Sequence, residues 1–172
     1  MPRTSFYIGD LVLGANDGII TSFAVISGAA GAGLPAFVVI VLGLANLVAD
    51  GISMGLSNYL SLESTKEAEE RVGISEKRLN NPSRHGLATA FAFSSAGVLP
   101  LIPYFFNISP NTQFFVAIAA TAVSLFSVGA LRTLVTGSHW LRSGLEMLFV
   151  GGIAAISAYI VGAAVRAFFG IM

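Results

Sequence analysis

The chain contains no cysteine, and only 10% of its 172 residues are charged. The first absence excludes disulfides, iron–sulfur clusters and thiolate zinc sites, and it leaves the redox compartment open. The second excludes an ordinary soluble domain, in which roughly a quarter of residues carry charge. Nine acidic and nine basic residues cancel, so there is no basic surface of the kind that binds nucleic acid. There are two histidines, His85 and His139, and both fall beside apolar stretches rather than within them. Serines are plentiful, but no histidine lies inside a span to act as base or to fix a metal, so the pattern does not read as an enzyme.

Hydrophobic residues make up 55% of the chain, with a mean hydropathy of +0.80. A bilayer core takes about 20 residues of helix, and five segments are long enough: 10–31, 35–62, 86–106, 111–135 and 143–169. The expected fold class is therefore all-α, a polytopic membrane protein with five transmembrane helices in one domain spanning 1–172. The first segment is too long, and too polar at Asn16-Asp17, for a cleaved signal, and it reads as a retained helix. Punctuation supports the breaks. Pro35 suits a first helical turn, Asn81-Pro82-Ser83 starts the third helix, Pro100 and Pro103 close it, and Ser109-Pro110 reads as a cap followed by a first-turn proline.

Charge sets the expected orientation. Lys66, Arg71, Lys77, Arg78 and Arg84 follow the second helix, Arg132 and Arg142 flank the turn after the fourth, and Arg3 precedes the first. The links at 31–35 and 102–112 contain no Lys or Arg. By the positive-inside rule the N-terminus is cytoplasmic and the C-terminus outside or lumenal. Arg166 alone opposes this, close enough to its helix end to snorkel. The cytoplasmic loop 63–85 is the only sizeable soluble part, and residues 63–71 should extend the second helix beyond the membrane.

Two acids break the apolar spans. A carboxylate near the middle of a membrane helix costs on the order of 2.5–3.5 kcal/mol on insertion scales, and such residues usually face a cavity, a partner or an ion. Asp17 lies in the first span and Asp50 in the second. Asn46, Asp50, Met54 and Asn58 recur every four residues and wind slowly along one helical stripe. Asp10, Gly14, Asp17 and Thr21, spaced four, three and four, form a straight seam suited to facing another helix. Gly14 with Gly18, and Gly51 with Gly55, would allow close backbone approach. No Lys or Arg lies deep within a span, so a bound metal or a proton is left to neutralise the acids. Carboxylate plus thioether suits a transition-metal cation, with Asp17, Asp50, Met54, Asn46 and Asn58 as candidate ligands. For Met54 the alternative is core filling, and for the two asparagines a hydrogen bond to a neighbour.

Other polar groups are less specific. Glu146 follows Arg142 by four residues, which reads as an ion pair at the cytoplasmic interface or as a carboxylate at the mouth of a pathway. Glu63, Glu67 and Glu70 share one face, either a solvated helix or a weak metal-collecting entrance. His85 and His139 read as lone interfacial residues at the membrane surface.

At these residues the chain resembles the vacuolar iron transporter family, which has plant, yeast and bacterial members. The matching text is Gly14-Ala15-Asn16-Asp17-Gly18 with Thr21 and Ser27-Gly28, then Ala49, Ser53-Met54 and Tyr59-Leu60-Ser61. The ending 143–148, with Gly151-Gly152, is typical of bacterial relatives, and the similarity covers nearly all of the chain. The resemblance implies a five-helix homodimer in the lipid bilayer, with first helices near the two-fold axis. It also implies export of divalent metal from the cytoplasm in exchange for protons, through a site that falls on Asp17 and Met54. Iron, and in some members manganese and related ions, would be cargo rather than a resident cofactor. The membrane would be vacuolar in a eukaryote and the inner cell membrane in a prokaryote.

Two departures stand out. The family's full metal-binding domain is a long insertion rich in glutamate and methionine between the second and third helices. Only residues 63–84 stand there, with no methionine, which marks a short member lacking that domain. Ser57-Asn58 also replaces a frequent Gly-Glu pair, while Asp50 adds an acid where many relatives have glycine. A manganese exporter with little iron activity and a non-transporting scaffold are the competing expectations.

Overall fold

A computed structural model describes residues 5–73 and 81–170, and all five expected helices are present. They are α1 (Ser5–Ala32), α2 (Ala36–Arg71), α3 (Pro82–Gly97), α4 (Pro110–Thr136) and α5 (Trp140–Phe169), with a 3₁₀ segment at Leu99–Phe105 between α3 and α4. Arg3, Lys77 and Arg78, on which part of the orientation argument rests, lie outside the described residues.

Each boundary has a local cause. α1 ends at Gly33, whose φ of 71° completes the turn before Pro35 and α2. Asn81 precedes α3 and Pro82 occupies its first turn. The third span differs from the expected continuous helix. Prolines at 100 and 103 lack the N–H that would bond to the preceding turn, so the α-helix stops at Gly97 and the chain continues as 3₁₀. Ser109 caps α4, its hydroxyl accepting a bond from the Thr112 N–H at 3.3 Å.

α2 has 36 residues, about 54 Å at 1.5 Å per residue, against a hydrocarbon core of about 30 Å. Its 63–71 end therefore projects beyond the span, as expected. α3, with 16 residues, reaches only about 24 Å by the same rise, and the 3₁₀ segment carries the crossing further.

α1 is the central helix. It packs against each of the other four, while α2 pairs with α3 and α4 with α5. The closeness comes from glycine. A Cβ at Gly18 would overlap the Phe93 carbonyl oxygen, and one at Gly162 the Gly28 carbonyl oxygen. These contacts bring α1 against α3 and α5, as small residues do between membrane helices. Gly14 and Gly18, and Gly51 and Gly55, both turn toward α3. Around these crossings lies the core of Phe23, Ile26, Leu47, Phe93, Leu101 and Tyr104. Outward, α2 exposes Phe37, Val48, Ile52, Leu56 and Leu60, an apolar face suited to lipid.

Candidate metal pathway

α1 and α2 form an antiparallel hairpin, and its register decides which polar groups meet. Asp17 lies 15 residues before the end of α1 and Asp50 14 residues after the start of α2. Both are therefore about 21–23 Å along their helices from the turn that joins them. The two carboxylates are half-buried and within Coulombic reach of one another. Among the described residues no side chain is hydrogen-bonded or ion-paired to either. Thr21 satisfies its own hydroxyl by donating to the Asp17 backbone carbonyl at 2.7 Å, which leaves that side chain uninvolved.

The remaining members of the α2 stripe fall on either side of Asp50. Met54 is partly buried against the Phe23–Leu47–Phe93 core, so packing accounts for part of its environment. Asn46 lies a turn toward the α1–α2 link, in a groove lined also by Ala24, Gly28 and Gly162. Its amide nitrogen is buried without a hydrogen-bond partner. Asn58 is placed differently. Its amide donates to Asp10 Oδ1 at 2.9 Å and to Thr89 Oγ1 at 2.7 Å.

That contact belongs to a second polar cluster, two turns along the seam from Asp17. Asp10 Oδ2 meets His85 Nδ1 at 2.5 Å, and Thr89 donates to the His85 carbonyl at 3.0 Å. The Tyr7 ring lies over the imidazole with centroids 4.5 Å apart. This corrects the expectation for His85. It is 2% exposed and buried in the first turn of α3, not a lone interfacial residue. Pro82 starts α3 four residues before the expected span, which turns His85 inward. Its partner is 75 residues away in the chain, beyond any signal from adjacent positions. His139, by contrast, is exposed at the start of α5, with its ring stacked on Trp140.

The weaker entrance candidates are solvated. Arg142 Nε donates to Glu146 at 3.1 Å, and both side chains are more than half exposed. Glu63, Glu67 and Glu70 lie on the projecting end of α2, where Lys66 sits 3.9 Å from Glu70. Among the described residues no three His, Asp or Glu side chains gather into a ready-made metal cage.

Five helices long and apolar enough to cross a membrane, with two half-buried acids that no described side chain pairs, define a class of polytopic membrane protein. The VIT family profile matches residues 8–79 and 67–163, and the chain belongs to that family. It is 30% identical to vacuolar iron transporter homolog 2 of Oryza sativa subsp. japonica, over 87% of this chain and 86% of that protein. It is 24% identical to vacuolar iron transporter 1 of Tulipa gesneriana, over 92% and 87% respectively. With vacuolar iron transporter 1 of Arabidopsis thaliana the identity is 26%, over 88% and 83%.

Proposed function

We propose that this chain transports a divalent transition metal, ferrous iron with manganese and cobalt as related cargo, out of the cytoplasm in exchange for protons. The observation that carries the reading is the Asp17–Asp50 pair. Two like charges at membrane depth repel one another and pay for desolvation. No described basic side chain neutralises them, so a cation is the natural complement. Membership of a family whose relatives are named vacuolar iron transporters supports metal as that cation.

Asp17 and Asp50 would supply carboxylate oxygens, Met54 a soft thioether and Asn46 an amide oxygen, a mixture suited to borderline divalent ions. Asn58 spends its amide on Asp10 and Thr89, and we assign it to the second cluster instead. When metal leaves, the same carboxylates can take protons, because metal binding and protonation compete for one site. A parallel homodimer would bring two copies of the half-buried pair together. The N-terminus would be cytoplasmic, with the ends of α2 and α4 on that side, in a vacuolar-type membrane or, in a prokaryote, the inner membrane.

A second reading rests on Met54. If its contact with the core is its whole role, the remaining ligands are oxygens, which favours manganese over iron. Flux of each metal into liposomes under a pH gradient tests both. Transport of iron and manganese with counterflow of protons supports the proposal, and a tight parent protein that moves neither metal removes it.

A further inference from the structure

The cluster around Asp10 is separate from the carboxylate pair but shares its α1 seam and α2 stripe. It joins Asp10 from α1, Asn58 from α2, and His85 and Thr89 from α3. Asp10 lies seven residues from Asp17 on one seam, and Asn58 four from Met54 on one stripe. The cluster therefore covers the end of the α1–α2 hairpin away from its connecting turn, about 10–12 Å from the carboxylate pair.

Burial argues against accidental placement. Asp10 is 7% exposed and His85 2%, and polar groups at such sites are costly unless each meets a partner. Apolar residues would pack three helices together without that cost. A hydrogen-bonded tie differs from apolar packing because it can exchange its partners for water when helices part. That gives two discrete arrangements of the kind a conformational change requires.

We propose that His85 is a positioning residue for transport: it holds Asp10 against Asn58, and this three-helix tie closes the Asp10 end of the pathway to the Asp17–Asp50 pair. The inference rests on the reading that this pair binds the transported ion. His85 touches no cargo. It sets whether the α1, α2 and α3 ends are together or apart.

The absence of cysteine makes the test direct. Thr21→Cys, one turn beyond Asp17 on the seam, supplies the chain's only thiol. In liposomes, a membrane-impermeant maleimide is added either on the face carrying Asp10 or on the opposite face. We expect H85A to raise the labelling rate from the Asp10 face at least tenfold, with no change from the opposite face. H85N, whose amide can reproduce the Nδ1 bond to Asp10, should return the rate close to the parent value. An unchanged rate from the Asp10 face in H85A overturns the proposal, as does an equal rise from both faces, which loosened packing alone would give. Should H85A fail to fold, D10L serves in its place. It keeps roughly the side chain's size and removes both acceptor oxygens, and an unchanged rate there is equally decisive against the tie. A failure of the transport reading is separate, because it appears as absent metal flux in the parent while labelling remains readable.

Discussion

The Asp10 carboxylate and the His85 imidazole meet at 2.5 Å in the interior, one from the first helix and one from the third. Asp17, two turns along the same helix, has no such partner among the described residues and faces a second carboxylate instead. Within one seam, then, one acid is satisfied by protein and the other is left for something else. That contrast separates a structural acid from a candidate binding acid.

Removing Asp10 should be costly to stability. Asp10→Ala takes one acceptor from the buried His85 Nδ1 and one from the Asn58 amide, which keeps its bond to Thr89 Oγ1, and breaking such buried bonds costs about 1–3 kcal/mol. A clear fall in melting temperature in detergent is expected for D10A. The double variant D10A/H85A should lose less than the sum of the two single changes, because the partners are removed together.

Helix crossings set a second expectation. Gly162→Ala drives a methyl into the Gly28 carbonyl, and Gly18→Ala drives one into the Phe93 carbonyl. Backbone cannot yield as a flexible side chain does, so each change should cost about 1–3 kcal/mol as overpacking. Gly152→Ala meets nothing within 4 Å and is the matched control. Thermal unfolding of the three variants in one detergent checks this, and equal melting temperatures would contradict the packing described.

The exposed ion pair should matter little. Arg142 and Glu146 are well solvated, and such pairs contribute at most about 0.5 kcal/mol. Glu146→Gln should leave both melting temperature and metal flux near parental values. A large loss of flux without unfolding would instead place Glu146 at the mouth of the pathway.

How legible these features were in the sequence follows from their physics. Asp17 and Asp50 stood out because a charge in an apolar run is expensive wherever it points. Ser109-Pro110 and the extension of α2 past residue 62 were equally readable, since caps and composition are local. The partner of His85 was not, because it lies 75 residues away and depends on how α1 and α3 cross. The 3₁₀ segment was half legible: Pro100 and Pro103 announced a break, but not the tighter helix that carries on through it. Asn58 looked equivalent to Asn46 on one stripe, and only the register of α1 against α2 separates them.

Metal binding should be visible before transport is measured. A ligand that binds only the folded state stabilises it by about 2.7 kcal/mol at one hundred times its Kd. Manganese, which is stable in air, should raise the melting temperature of the detergent-purified protein. Asp17→Asn and Asp50→Asn should each abolish most of that rise, while D10N should retain it. Loss of the rise in D10N alone would move the binding site to the Asp10 cluster.

The most direct measurement is metal flux into liposomes under a pH gradient, comparing the parent chain with Asp17→Ala and Asp50→Ala at matched protein incorporation. We expect each substitution to lower iron and manganese transport at least tenfold. Transport at the parental rate in either variant would contradict the assignment of the paired carboxylates as the ion site.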